Sequence, residues 1–443
     1  MDTINMINYS IMLLFFVCYA YQFLYIPISL FVHKKSRRSK KNNSYGILIA
    51  ARNEEKVIGN LIDSLKNQNY PSELISIYVV ADNCTDNTSL VAKGHGAIVY
   101  ERHNTSEIGK GYALNFLLNK IKEESTMPDA FIVFDADNIV DSNYVSEINK
   151  TFNNGYQVIT SYRNTKNYGD NWISSGYGLW FLREAMYLNQ PRWKIGSSCG
   201  VSGTGFLFSS KVLEECGGWN FHLLTEDIEF TADCIVNNRK IGYCPKAMFY
   251  DEQPTSFKQS VTQRLRWSKG YLQVLGKYGK RLFKCTLKGK FSAFDMLMNI
   301  TPATVLSWVS IIVNILAIVV SIIRSDSVST ILLSLGQSAL NLYLTMFFIG
   351  AITTITEWKK ICCSNIKKIL YAFTFPIFMI TYIPISVIAP FTKSEWKPIN
   401  HNKSLTINDL KSFRKDVELN WKLTIIYYWV NTYLIWRRLS YHL

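Results

Sequence analysis

Hydrophobic and polar residues are distributed unevenly along the chain, with long apolar runs towards both ends and a mixed centre between them. Three runs are uncharged and long enough to cross a bilayer as helices, namely Ile11–Val32, Ala303–Ile323 and Val328–Thr353. The second and third predict a helical hairpin. A further apolar stretch, Ile369–Phe391, is interrupted by prolines, and its pattern fits a re-entrant segment and a true span equally well.

Basic residues beside the apolar runs predict how the chain crosses the membrane. A dense cluster between Lys34 and Lys41 follows the first run, and the basic segment Lys359–Lys368 follows the hairpin. Because positively charged flanks stay in the cytoplasm, we expect the N-terminus outside and the centre of the chain inside. The aromatic stretch Trp421–Trp436 predicts an amphipathic helix on the membrane surface. Together with a Lys-, Asn- and Ile-rich composition typical of AT-rich bacterial genomes, these features predict a multi-pass bacterial plasma-membrane protein.

The centre of the chain, from Lys41 to about Arg281, alternates between short apolar segments and helix-like ones. The predicted strands are Ile47–Ala50, Ile75–Val80, Ala97–Tyr100 and Phe131–Phe134, and the predicted helices include Glu55–Asn67 and Gly111–Ile121. This alternation predicts an α/β domain built on a mostly parallel sheet with helices on both faces. Ligands of such sheets bind beyond the carboxyl ends of the strands. Polar clusters follow three of the predicted strands, so we expect a nucleotide site where these ends meet.

The charge and the cysteines narrow the class of protein. The formal net charge is +15, which suits anionic lipid and phosphate ligands. The basic residues lie next to apolar runs and no DNA- or RNA-binding signature is present, so we expect no nucleic-acid partner. The nine cysteines form no CxxC pair and the six histidines show no zinc-ligand spacing, which indicates reduced, structural thiols.

Asp135 and Asp137 are separated by one residue at the point where an apolar strand ends. Two carboxylates at this spacing can share a Mg²⁺ or Mn²⁺ ion with two phosphates, since these cations prefer oxygen ligands. Such an ion neutralises the charge that builds on a departing diphosphate. An ordinary Asp-rich turn is the alternative interpretation of the same residues.

The sequence Thr225-Glu226-Asp227 precedes an apolar-periodic helix at Ile228–Val236. Thr225 is a predicted N-cap with acids in the first helical turn. A carboxylate held rigidly at a helix start can also deprotonate an acceptor hydroxyl as it attacks an anomeric carbon. Displacement by an external hydroxyl with one base inverts the anomeric configuration.

Gln263, Arg266 and Trp267 share one face of a predicted helix, Ser256–Val274. An arginine can bind a diphosphate with two parallel hydrogen bonds, and an indole can stack on a sugar ring. The same pattern also predicts a basic amphipathic helix on the membrane with Trp267 as its anchor, and both interpretations can hold together. Lys110, which follows a glycine, is a candidate phosphate contact.

From Ile47 to about Tyr271 the chain resembles the inverting family 2 glycosyltransferases, and within them the membrane-integrated processive branch of cellulose, hyaluronan, chitin and poly-N-acetylglucosamine synthases. The matching segments occur in the family's order: ILIAARNEE, VVADNCTDNT, GKGYALN, VFDADN, VSGTGFLFS, GGW, TEDIEF and QRLRWSKG. The resemblance implies an α/β GT-A (nucleotide-diphospho-sugar transferase) domain in the cytosol, an α-helical transmembrane region, and a UDP-sugar donor.

The resemblance also implies a role for each matching residue. It places Asp227 at the catalytic base, with Glu226 beside it, and Asp137 and Asp135 at the metal site. Acceptor contacts are implied for Trp267 and for the loop Gly203, Thr204 and Gly205. Donor contacts are implied for Arg52, Asn53, Glu54, Asp82, Lys110, Asp135, Gln263 and Arg266.

These features predict five regions, with a membrane helix in 1–33 and the catalytic domain in 34–254. They are followed by interfacial amphipathic helices in 255–300, transmembrane helices in 301–391, and a cytosolic or interfacial tail in 392–443. The resemblance implies that the growing chain leaves through a channel formed by the protein's own helices, which a homo-oligomer would enlarge.

Three functions fit the sequence to different degrees. A processive synthase that polymerises a β-linked polysaccharide and exports it is favoured by the Gln263–Trp267 motif placed just before the apolar runs. The segment ADNCTDNT resembles bacterial glucan-type synthases more than chitin or hyaluronan synthases. This resemblance implies UDP-glucose and a β-glucan, with a poly-N-acetylglucosamine or hyaluronan-like synthase as the alternative. The alternatives are a non-processive transferase that adds one sugar to a membrane lipid, and an inactive scaffold, which the intact motifs disfavour.

Overall fold

The computed structural model describes residues 2–34, 41–124, 126–323, 329–392, 401, 403–410 and 412. Most of the basic cluster between Lys34 and Lys41, and the predicted surface helix at Trp421–Trp436, lie outside these residues, as does most of the predicted tail.

Within the described residues, eight strands form one sheet in the order β3-β2-β1-β4-β7-β6-β8-β5. The strands are β1 Tyr45–Ala51, β2 Ile75–Asp82, β3 Ile98–Arg102, β4 Ala130–Asp135, β5 Ile139–Val140, β6 Val158–Thr165, β7 Phe206–Ser209 and β8 Ile241–Asp251. Strands β1 to β4 pair in parallel, as predicted, and β6 pairs in parallel with β8. The sheet is mixed rather than all parallel, because β7 runs antiparallel between β4 and β6, and β5 runs antiparallel to β8.

The described helices flank this sheet and extend beyond it. They are α1 Asp2–Phe31, α2 Ile58–Lys66, α3 Thr88–Gly94, α4 Lys110–Glu124, α5 Tyr144–Phe152, α6 Trp172–Glu184, α7 Gln190–Lys194, α8 Ser210–Glu215, α9 Glu226–Val236, α10 Phe257–Leu287, α11 Phe291–Ile300, α12 Pro302–Ile323, α13 Ser329–Thr356, α14 Asn365–Ile380 and α15 Tyr382–Ile388. The predicted helix Glu55–Asn67 is shorter, since its first residues form a turn, whereas the predicted Ser256–Val274 extends to Leu287.

The alternation of side chains along each strand divides the core into two layers. On β1, Ile47 and Ile49 pack with α2 and α5 on one face, whereas Leu48 packs with α4 and α6 on the other. Phe375 of α14 belongs to the second layer, so a membrane-type helix contributes to the core of the sheet domain. Gly176 of α6 lets α14 approach closely, because a Cβ there would lie 2.4 Å from the ring of Phe378 on the same helix.

Four described segments are helical, long and apolar enough to cross a membrane by length and composition: Met6–Phe31, Val305–Ile323, Ile331–Thr356 and Asn365–Phe391. The fourth includes the ambiguous stretch of the sequence analysis. It consists of α14 and α15, which meet at Thr381, followed by a short 3₁₀ turn at Ala389–Phe391. Its length therefore permits a crossing despite its prolines.

Candidate active site

The carboxyl ends of β1, β2 and β4 meet at one edge of the sheet, because these three strands are parallel neighbours. The residues at or just after these ends line one continuous cavity of about 1520 Å³. They are Arg52, Glu54, Asp82, Asp135 and Asp137. The polar clusters that follow the three strands therefore converge.

Asn53 has a positive φ of 59°, in the left-handed region that asparagine tolerates better than most residues. Its side chain is directed to the neighbouring loop, where its oxygen accepts a hydrogen bond of 2.8 Å from the Thr85 amide. Asn53 is therefore not among the residues that line the cavity. It shapes the turn between Arg52 and Glu54, which do line it.

Asp82 is the final residue of β2 and is held by a buried ion pair. The Arg102 guanidinium lies 2.6 Å from its carboxylate, and both side chains are less than a tenth exposed. Arg102 also donates to the backbone oxygen of Glu107, at 2.9 Å. Sequence reasoning missed Arg102, which fixes the orientation of Asp82 at the cavity wall.

Lys110 begins α4 and joins two loops of the site. Its ammonium forms an ion pair with Asp135 and donates a hydrogen bond of 2.9 Å to the backbone oxygen of Gly203. The Thr204 hydroxyl accepts from the Asp135 amide at 3.0 Å and donates to Asn138. The predicted acceptor loop is thus tied directly to the Asp-x-Asp turn.

Only the first residue of the predicted acceptor loop lines the cavity. Gly203 has a φ of 71°, and a Cβ there would lie 3.8 Å from the Asp227 carboxylate. Gly205 has a φ of 64°, and a Cβ there would lie 2.1 Å from the ring of Phe249. Thr204 and Gly205 therefore position the loop from behind the cavity wall.

Asp137 is only 5% exposed, and its carboxylate is oriented by backbone and side-chain donors. It accepts hydrogen bonds from the Glu252 amide at 2.8 Å and from the Asn138 side chain at 3.1 Å. A buried carboxylate in the wall of this cavity suits a divalent cation that also binds substrate phosphates. Asp135, the other acid of this turn, forms an ion pair with Lys110.

Glu226 and Asp227 open α9, and both side chains face the cavity. Burial raises the pKa of both carboxyls, and the charge of Asp227 raises the pKa of Glu226 further, while the nearby Lys110 and Arg266 oppose both shifts. Thr225 stands at the N-cap position as predicted, but its hydroxyl makes no capping hydrogen bond. That part of the prediction is wrong, because the Thr225 side chain is packed against Gly270 of α10.

Gln263, Arg266 and Trp267 of α10 line the same cavity, as their shared helix face requires. The Trp267 ring stands edge-on to Tyr177, with ring centroids 5.7 Å apart, and also contacts Phe181. These contacts fix the indole at the wall rather than leaving it free to rotate. The arrangement presents an aromatic surface to the cavity that Asp227 also lines.

Several polar residues that line the cavity could not be identified from the sequence pattern. Arg163 pairs with the buried Asp251, and it donates to the Ser202 backbone oxygen at 3.1 Å. Glu184 ends α6, and burial raises the pKa of its carboxyl. His401 reaches the cavity from beyond the membrane helices. These residues are far apart in sequence, so only the folded chain brings them together.

Residues 42–270 match the family model described as "Glycosyltransferase like family 2". This match covers more than half of the chain. The chain belongs to glycosyltransferase family 2. It is therefore a sugar transferase with a GT-A-like catalytic domain, and the family match ends within α10, just after the motif that contains Trp267.

The chain is similar to proteins with different named products, among them two relatives and one protein of solved structure. It is 29% identical over 268 residues to the beta-monoglucosyldiacylglycerol synthase of Nostoc sp., a match that covers 57% of this chain and 54% of that protein. It is 24% identical over 282 residues to the poly-beta-1,6-N-acetyl-D-glucosamine synthase of Staphylococcus epidermidis, covering 62% and 64%. The chain thus matches between about half and two thirds of the length of these relatives.

The solved structure is the mannosyltransferase PcManGT from Pyrobaculum calidifontis, in complex with GDP-Man and Mn²⁺. The two folds align with a TM-score of 0.57 over 88% of this chain and 100% of that one, at 13% sequence identity. The likeness confirms the predicted GT-A fold.

Proposed function

We propose that this protein is an inverting glycosyltransferase that moves one hexose, glucose in the first instance, from a UDP-sugar to the hydroxyl of a membrane lipid. One observation carries this proposal. The cavity that contains Asp137 and Asp227 continues between α1, α12 and α13, where it is lined by residues such as Met12 and Leu342. An acceptor that is itself embedded in the bilayer can enter by this route.

The donor end of the cavity supplies what a nucleotide diphosphate needs. Asp82 and Arg52 lie at the strand ends where the base and ribose bind in this proposal, and Lys110 and Arg266 provide positive charge for the phosphates. Asp137 provides a carboxylate for a divalent cation. That cation, when bound, neutralises charge on the departing diphosphate.

In this proposal Asp227 is the base that serves the acceptor end of the cavity. The Asp227 carboxylate is held at the start of α9, opposite Gly203, whose missing side chain leaves the space above it open. A carboxylate with a raised pKa holds a proton more readily during attack of the hydroxyl on the anomeric carbon. The hydroxyl attacks the face opposite the diphosphate, so the product has the inverted configuration.

The membrane portion of the cavity has an apolar wall. Phe16 and Phe23 of α1 face it from one side, and Leu342 and Ile349 of α13 face it from another. Acyl chains are stabilised by such a lining, whereas a hydrated sugar chain loses its hydrogen bonds with water there. A match of 29% identity to a synthase named for a glucosylated diacylglycerol supports the same acceptor class.

Processive synthesis of an exported polysaccharide is the second candidate. Polar residues also line the cavity at membrane depth, among them Asn8, Ser338 and Asn341. Intramembrane polar residues often mark a substrate path. Asn8 is nevertheless engaged with Asn314 through two hydrogen bonds, of 3.0 and 2.8 Å, which gives it a role in joining α1 to α12.

The products of the purified protein in nanodiscs test this proposal. We expect UDP-glucose and diacylglycerol to yield a glycolipid that carries one sugar, detected by thin-layer chromatography and mass spectrometry. An Asp227→Asn protein is the control for background hydrolysis. A high-molecular-weight polymer, formed without added lipid, would instead establish the second candidate. UDP-N-acetylglucosamine, UDP-galactose and UDP-glucuronate, supplied in the same way, test the choice of sugar.

A further inference from the structure

The chain returns to the catalytic domain after α15, and the segment 403–410 is fastened to the edge of the sheet. Leu410 is buried in a small apolar cluster with Tyr250 of β8. The Lys403 amide donates a hydrogen bond of 3.2 Å to the Glu252 carboxylate. Apolar packing and polar contacts thus hold the segment where β4 and β8 end.

This attachment brings His401 into the cavity beside the predicted metal site. The imidazole is 15% exposed, and its Nδ1 lies 2.9 and 3.0 Å from the two carboxylate oxygens of Glu54. Its other nitrogen, Nε2, lies 4.0 Å from a carboxylate oxygen of Asp137. The ring therefore stands between two carboxylates, with a different nitrogen directed to each.

The separation between His401 Nε2 and Asp137 fits a shared ion. Bonds from a divalent cation to an imidazole nitrogen and a carboxylate oxygen are each about 2.1 Å long, so one ion can contact two atoms that lie 4.0 Å apart. A metal-binding histidine usually donates its second N–H to a carboxylate, which fixes the ring orientation. Glu54 is placed to accept that hydrogen bond.

The remaining coordination positions suit the substrate. The described part of the chain contains no group of three or more histidine, cysteine or acidic side chains that could hold an ion by themselves. Divalent cations at nucleotide sites are commonly bound through one or two protein ligands, substrate phosphates and water. His401 and Asp137 would provide such a pair.

We propose that His401 is a second protein ligand of the divalent cation, together with Asp137, and that Glu54 is the positioning residue that orients its ring. The inference rests on the proposed function, since it concerns the ion of the same donor site. A nitrogen ligand favours Mn²⁺ over Mg²⁺, because Mg²⁺ is the harder of the two cations and prefers oxygen. The ion also fastens the C-terminal segment onto the donor site.

Electron paramagnetic resonance of Mn²⁺ tests this ligand without any transfer reaction. The full-length protein in nanodiscs is titrated with Mn²⁺ in the presence of UDP. We expect electron–nuclear double resonance to show coupling to a directly bound nitrogen, and that coupling to change when the protein is labelled with [¹⁵N]histidine. This readout needs no substitution, so it does not depend on how a variant folds.

Substitutions then assign the nitrogen to one residue. His401→Gln should remove the coupling and weaken Mn²⁺ binding about tenfold or more, the lower end of what loss of a supporting group costs at metal sites. Glu54→Gln should weaken binding by a smaller factor. His95→Gln is the matched control, because that histidine pairs with Asp63 at the surface and should leave both readouts unchanged.

Two results would overturn the inference, and they are distinguishable. Absence of histidine-nitrogen coupling in the unsubstituted protein, with Mn²⁺ binding abolished by Asp137→Asn, would exclude His401 as a ligand but leave the donor site intact. Mn²⁺ binding that neither Asp137→Asn nor His401→Gln weakens would remove the metal site of the proposed function as well.

Discussion

The Arg264 guanidinium of α10 donates a hydrogen bond of 2.6 Å to the hydroxyl of Thr381, at the junction of α14 and α15. Arg264 is fully buried and also stacks on the rings of Phe378 and Tyr382. It lies within the motif that contains Arg266 and Trp267, but it packs against α14 and α15 and does not line the cavity. One turn of α10 thus connects the cavity to a membrane helix.

Replacement of Arg264 should therefore damage the protein through its structure. Arg264→Ala removes charge-assisted hydrogen bonds and two ring contacts, and we expect it to cost about 2–4 kcal/mol of stability. Thermal unfolding in detergent, followed by intrinsic fluorescence, measures this loss. Arg281→Ala on the exposed side of the same helix is the control and should leave the midpoint within about a degree. Equal midpoints for the two variants would contradict the anchoring role.

Asp227→Asn should abolish sugar transfer while leaving UDP binding nearly intact. Loss of a general base lowers a rate by about 10²–10⁴-fold. Asp233→Asn is a matched control on the same helix, because Asp233 pairs with Arg239 away from the cavity. UDP binding by isothermal titration calorimetry and transfer by UDP release measure the two effects. Loss of UDP binding in the Asp227 variant would show that this carboxylate belongs to the donor site.

The pH dependence of stability should report the burial of Glu226. Its pKa is raised in the folded protein, chiefly by burial. In the unfolded chain Glu226 loses its proton at its ordinary pKa. The folded state is therefore destabilised as the pH rises from the unfolded pKa to the higher folded pKa. Glu226→Gln lacks this penalty, so we expect its unfolding midpoint to exceed that of the unsubstituted protein by an amount that grows from about pH 4.3 and levels off above the folded pKa of about 7.

The matched control for this pH series is the exposed Glu214→Gln on α8. Its difference from the unsubstituted protein should stay constant with pH. A constant difference for Glu226→Gln as well would contradict the raised pKa. A difference that is largest below pH 4 would mean that folding lowers the pKa of Glu226 instead of raising it.

The membrane part of the cavity can be closed without touching the catalytic residues. Leu342→Trp on α13 places an indole in the apolar wall, where it occupies space that an acyl chain would use. We expect it to lower transfer to a lipid acceptor at least about tenfold, which corresponds to about 1.4 kcal/mol of lost acceptor binding. Donor hydrolysis by water should continue, because the donor end is unchanged. Leu333→Trp is the control, since Leu333 is 72% exposed on the same helix and does not line the cavity. Equal transfer by both variants would exclude this route for the acceptor.

The sequence predicted the parts of the fold that depend on local pattern. Alternating apolar runs located β1, β2 and β4 to within a few residues, and the two acids at the end of β4 lie at the sheet edge because parallel strands share their carboxyl ends. Spacing along one helix also placed Gln263 and Trp267 at a common cavity. Such predictions need no knowledge of distant contacts.

Contacts between distant segments could not be predicted in this way. The Thr225 hydroxyl fails to cap its helix because α10 packs against it through Gly270, a residue 45 positions away. The antiparallel insertion of β7 between β4 and β6 has no local signature. His401 reaches Asp137 only because the chain folds back across the sheet edge after the membrane helices. Each of these features depends on tertiary packing rather than on period or spacing.

The number of sugars on each product molecule tests the central proposal most directly. Purified protein in nanodiscs with excess diacylglycerol is supplied with radiolabelled UDP-glucose, and UDP release is compared with the size of the labelled product over time. We predict one sugar for each labelled lipid at all times, with the amount of product rising and its size constant. A product whose length grows with the UDP released would contradict single transfer to a lipid and establish polymer synthesis.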